Sequence, residues 1–65
     1  MVGKRINEYM TANGIKQSFV AERVGITPSR MSNILTKGST IDCVLYYKIC
    51  KVLNVPLETF LEDRP

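Results

Sequence analysis

Apolar residues along this chain recur at intervals of three and four, the period of a helix, and no stretch alternates at the period of two that a strand requires. Over about residues 3–12, Ile6, Tyr9 and Met10 share one side of a helix that Asn13-Gly14 stops. Over about 17–24, Val20, Ala21 and Val24 form the inward face of a second helix, closed by Gly25. A third helix, about 28–36, opens at Thr27-Pro28 and buries Met31, Ile34 and Leu35. Thr27 suits the cap, and Pro28 suits the first turn, where its missing N–H costs nothing. Gly38 and Ser39-Thr40 break the pattern again. A fourth helix, about 42–53, starts at Asp42 as N-cap and turns Cys43, Tyr46, Ile49, Cys50 and Leu53 inward. Asn54 ends it, and Pro56 opens a fifth short helix, "PLETFLE", anchored by Phe60 and Leu61. The pattern predicts an all-α domain of five short helices spanning residues 1–65.

The join between the second and third helices is the most constrained stretch. Gly25-Ile26-Thr27 alone separates them, so they cross steeply, and glycine at the first turn position permits a positive φ. Ala21 has to be small where the two helices approach, while Val20, Val24, Ile26, Met31 and Ile34 fill the space behind the turn. A small residue, a glycine and five phased apolar positions point together to a helix-turn-helix over residues 17–36.

The segment "QSFVAERVGITPSRMSNIL" resembles the helix-turn-helix of the lambda-repressor-like family, which includes phage Cro-type and XRE-type regulators. The likeness runs on without a gap through "KICKVLNVPLETFL", similar to the family's fourth and fifth helices. It implies a five-helix fold whose third helix enters the major groove of double-stranded DNA, and a Gln17 that holds the DNA backbone.

The phase of the third helix leads the same way. With Met31 as the inward direction and about 100° per residue, Leu35 lies near 40° and Ile34 near −60°. Ser29, Ser32, Asn33 and Thr36 face outward between about 100° and 200°, and Arg30 and Lys37 lie near 250° along one edge. On an arbitrary helix such a face simply meets solvent. Within this motif, Pro28, Ser29, Ser32, Asn33, Arg30 and Thr36 are the candidates for base contact. Asn pairs bidentately with adenine, and Ser and Thr read base edges more loosely. Arg30 has two open roles, guanine recognition or a phosphate grip from the groove edge. Gln17, Lys16, Thr27, Lys37, Ser39 and Thr40 are the backbone candidates, whereas Lys4, Arg5, Arg23, Lys48 and Lys51 read as surface solvation.

Several positions depart from the family pattern. Lys16 stands where members usually carry a Ser or Thr cap, so the second helix is expected to fray at its start. Glycine comes at residue 38, one later than usual, which leaves the shape of the following loop open. Met10 and Leu35 occupy positions that many members fill with an arginine and a glutamate, and they read as a concerted exchange of an ion pair for apolar contact. Phe19, Val44, Leu45 and Tyr47 are apolar where the family is often polar, a possible partner surface.

Charge adds a weak pointer. The net charge is +3, but residues 1–51 carry eight basic side chains against three acidic ones, and residues 52–65 are net acidic. A basic body suits a polyanionic partner. Histidine is absent, and neither cysteine has an activating base nearby in sequence, so no catalysis, metal or cofactor is expected. Cys43 and Cys50, two helical turns and roughly 10 Å apart, are too distant to pair, and both read as small buried residues in a reducing cytoplasm. No apolar run approaches the roughly 18 residues of a membrane span.

The expected function is sequence-specific DNA binding by a Cro-like repressor, cytoplasmic and nucleoid-associated, acting as a homodimer on a near-palindromic operator. Val44, Tyr47, Leu57 and Phe60 are the candidates for the dimer surface. With no second domain in 65 residues to house a pocket, no small-molecule effector is expected. The alternative is a protein-interaction module on the same fold, such as an antitoxin or a regulator-binding component.

Overall fold

The computed structural model describes residues 2–38 and 40–61. Its elements are α1 (Val2–Ala12), α2 (Gln17–Val24), α3 (Pro28–Thr36), α4 (Cys43–Leu53) and a single 3-10 turn (Leu57–Phe60). No strand occurs among the described residues. The helices pack α1 on α3, α2 on both α3 and α4, and the 3-10 turn against α1 and α4.

Local chemistry accounts for the helix ends. Gly25 takes φ 85°, and the N–H groups of Gly25 and Ile26 both return to the Ala21 carbonyl, which closes α2 and turns the chain into α3. Thr27 Oγ1 accepts from the Arg30 N–H at 3.1 Å, and Pro28 fills the first helical position. Asp42 Oδ1 accepts from the Leu45 N–H at 2.8 Å and opens α4, which ends at Asn54 with φ 60°. Lys16 offers no side-chain cap to α2, yet the helix begins at Gln17. The shifted glycine is accommodated by moving the left-handed position one residue along: Lys37 ends α3 at φ −108° and Gly38 takes φ 73°.

The core gathers Ile6, Met10, Val20, Ala21, Val24, Met31, Ile34, Leu35, Leu45, Ile49, Cys50, Leu53 and Phe60. Among the described residues it contains no polar or charged side chain. Met10 and Leu35 are both buried in it, as an apolar replacement for an ion pair requires.

Three expectations about the C-terminal half need correction. Cys43 is exposed, not buried. It shares the phase of Cys50 but sits in the first turn of α4, where it lines an apolar groove with Val2, Ile41, Tyr46 and Leu61 instead of being covered. Leu45, grouped above with exposed apolar positions, is buried in the core. The fifth helix is only the 3-10 turn. The Tyr46 hydroxyl donates to the Leu57 carbonyl, the acceptor an α-helix would offer to the Leu61 N–H. That N–H bonds the Glu58 carbonyl instead, at 3.2 Å. Leu61 is consequently half-exposed, and Glu62 of the expected helix lies outside the described residues.

Tyr46 and Cys50 predict an alkaline limit to stability. Burial pushes the Cys50 thiol above its ordinary 9.0, partly opposed by the neighbouring Tyr46 hydroxyl. Burial and the Cys50 contact push the Tyr46 phenol above 10.0. Raised values mean that the unfolded chain releases these protons first, so their contribution is intact below about pH 9 and is lost as pH rises beyond it. Urea midpoints should stay level from neutral pH to about pH 8.5 and then fall. A midpoint unchanged to pH 11 would show that both groups ionise freely in the fold.

Candidate nucleic-acid interface

α3 presents two faces. Met31, Ile34 and Leu35 point into the core, and Pro28, Ser29, Arg30, Asn33 and Thr36 are exposed, with Ser32 half-buried. Ser29 and Asn33 make no side-chain hydrogen bond to any described residue, so their polar atoms are available to a partner. Thr36 is partly committed, because its hydroxyl donates to the Ser32 carbonyl at 2.7 Å. Thr27 keeps its hydroxyl proton while its oxygen caps α3.

The start of α2 carries further candidates. Gln17 Nε2 donates to Asn7 Oδ1 at 3.2 Å, a bond between α2 and α1 that fixes the Gln17 amide and leaves its second N–H free. Asn7 therefore positions Gln17. No sequence signal marks it, since the two lie ten residues apart and meet only through the packing of the helices. The first N–H groups of α2 have no side-chain acceptor, which leaves donors directed outward beside Lys16. Lys16, Lys37 and Thr40 are exposed, and Ser39 lies outside the described residues.

Residues 5–65 match the family model of the Cro/C1-type HTH DNA-binding domain. The chain belongs to this family. It is also 31% identical over 65 residues to the HTH-type transcriptional regulator SinR of Bacillus subtilis (strain 168), covering 98% of this chain. The chain spans 59% of the length of that relative. No solved structure gives a significant match. The family is one of DNA-binding domains.

The candidates for self-association divide. Val44, Tyr47 and Leu57 are exposed at 64%, 50% and 45%, whereas Phe60 is 3% exposed and cannot serve at a surface. Its ring packs edge-on against Tyr9 with centroids 5.6 Å apart, sealing the 3-10 turn to α1. Leu61, expected to anchor the fifth helix, is 45% exposed and is an apolar surface position. Tyr47 and Phe19 are partly covered by cations, Lys51 Nζ at 5.8 Å from one ring and the Arg23 guanidinium at 5.2 Å from the other. Among the described residues no helix is long and apolar enough to cross a membrane.

Proposed function

We propose that this Cro/C1-type domain is a repressor that binds a near-palindromic operator as a homodimer, one α3 in each of two successive major-groove faces. The observation that carries the reading is the pair of unbonded polar side chains, Ser29 and Asn33, on the exposed face of a helix whose opposite face is locked into the core. Such rigidity matters because a base-reading side chain is useful only if its helix cannot shift. Asn33 would pair with adenine and Ser29 would read a neighbouring base edge, with Pro28, Ser32 and Thr36 within the same footprint. Gln17, held by Asn7, would donate its free N–H to a backbone phosphate together with the uncapped N–H groups of α2. Lys16, Thr27, Lys37, Ser39 and Thr40 would add further backbone contacts. Val44, Tyr47 and Leu57 would form the dimer surface, joined by Leu61. Bound there, the domain would repress by occupying DNA that polymerase needs.

Selection of bound duplexes from a random pool, followed by footprinting, tests the reading directly. On the selected site, Asn33→Ala should cost about 1–3 kcal/mol and relax discrimination at one base pair. Gln17→Ala should weaken all sequences about equally. If both variants altered sequence preference alike, this division of roles would be wrong. Failure to retain any duplex at low salt would favour a protein-interaction module on the same fold.

A further inference from the structure

Beside the N-terminal end of α3 lies a solvent-open cleft of about 200 Å³, lined by Val24, Gly25, Ile26, Arg30, Asp42, Val44, Leu45 and Lys48. Its two cations come from different helices, Arg30 from α3 and Lys48 from α4. Neither side chain forms a hydrogen bond or ion pair with a described residue. Asp42 is the one carboxylate in the lining, and its Oδ1 is engaged by the Leu45 N–H at the positive end of α4. The lining therefore carries two cations against one carboxylate, a net positive charge of one.

We propose that this cleft seats one backbone phosphate of the bound DNA, with Arg30 and Lys48 as its two cationic walls. The inference rests on the DNA-binding reading above and extends it to α4. A helix lying in the major groove has a phosphate strand along each flank, because the groove is about 12 Å wide and a helix with its side chains nearly fills it. Arg30 lies along the edge of α3, about 100° round the helix from Ser29, so it faces a flank rather than the groove floor. Gly25 adds no side chain to the cleft wall, which keeps the entrance open. The forked guanidinium of Arg30 and the point charge of Lys48 can then grip one phosphodiester from two sides. This assigns Arg30 to phosphate and not to guanine, and it gives a role to Lys48, which sequence pattern reads as a solvated surface residue.

The test uses the full chain and the selected duplex, with affinity measured by fluorescence anisotropy from low to moderate salt. Lys48→Gln should weaken every duplex alike and reduce the steepness of log affinity against log salt by about 0.9 per bound protomer. Lys48→Arg should restore the wild-type slope. Arg30→Gln and Lys48→Gln combined should cost less than the sum of the single losses, since either one already breaks the shared grip. Lys48 is exposed, and unchanged helical circular dichroism would confirm that its variants fold. A wild-type slope in Lys48→Gln, strictly additive losses, or altered sequence preference in Arg30→Gln would overturn the clamp while leaving the DNA reading intact. Absence of any duplex binding by the wild type would overturn both. Inorganic phosphate provides the other arm: saturable shifts of Arg30 and Lys48 resonances, with no effect of Lys48→Gln on the DNA slope, would reassign the cleft to a free phosphate ligand and overturn the proposal.

Discussion

Gly3→Ala is expected to lower the thermal midpoint by roughly 10 °C, although alanine is the better helix former. Gly3 is buried in the first turn of α1, and a Cβ there would lie 2.2 Å from the Ile34 carbonyl oxygen and 3.2 Å from its carbonyl carbon. Both are backbone atoms of α3, so no side-chain rotation relieves the overlap. Either α1 withdraws from α3 or its first turn frays, and each exposes part of the contact between them. Forcing an extra methyl into such a fit costs up to about 3 kcal/mol. Helix propensity returns about 1 kcal/mol, leaving a net loss near 2 kcal/mol. For a chain of this size that is a large share of a total on the order of 3–10 kcal/mol. Thermal unfolding followed by circular dichroism decides the sign. A midpoint equal to or above the wild type would mean that α1 and α3 do not approach as closely as these distances state.

Duplex affinity should fall steeply with salt, by about a thousandfold or more between 50 and 200 mM. One α3 reads only a few base pairs, and under the proposed function a second copy reads the other half-site about 34 Å away. A dimer making about six to eight phosphate contacts gives a slope of log affinity on log salt of roughly −5 to −7. Two protomers per duplex, a selected site with dyad symmetry and a slope in that range would support the dimer. One protomer per duplex on an asymmetric site, with a slope near −2, would leave a monomeric binding module instead. Tyr47→Glu probes association, because Tyr47 is exposed on α4 and is not among the candidates for base contact. It should shift the stoichiometry toward one protomer without altering base preference.

How much of this was legible in the sequence depends on how far each feature reaches along the chain. The limits of α2 and α3, and the caps at Thr27 and Asp42, depend on residues within a few positions of one another. A hydroxyl or carboxylate closing onto an N–H three residues ahead, or a glycine taking a left-handed φ, is local chemistry, and the sequence alone determined it. The outward phase of Ser29 and Asn33 followed equally from helical period, once Met31, Ile34 and Leu35 were known to face the core. The corrected residues depend on where other elements end. Cys43 and Cys50 share a phase, but only Cys50 is covered, because among the described residues no element closes over the first turn of α4. Phe60 is buried against Tyr9, fifty-one positions earlier, and the 3-10 turn is tied to α4 by the hydrogen bond from Tyr46 to the Leu57 carbonyl. Periodicity assigns a side chain to a face and says nothing of whether another element lies above it. The Gln17–Asn7 bond, the approach of Gly3 to Ile34 and the convergence of Arg30 with Lys48 were decided by tertiary structure alone, since each joins residues whose separation only packing closes.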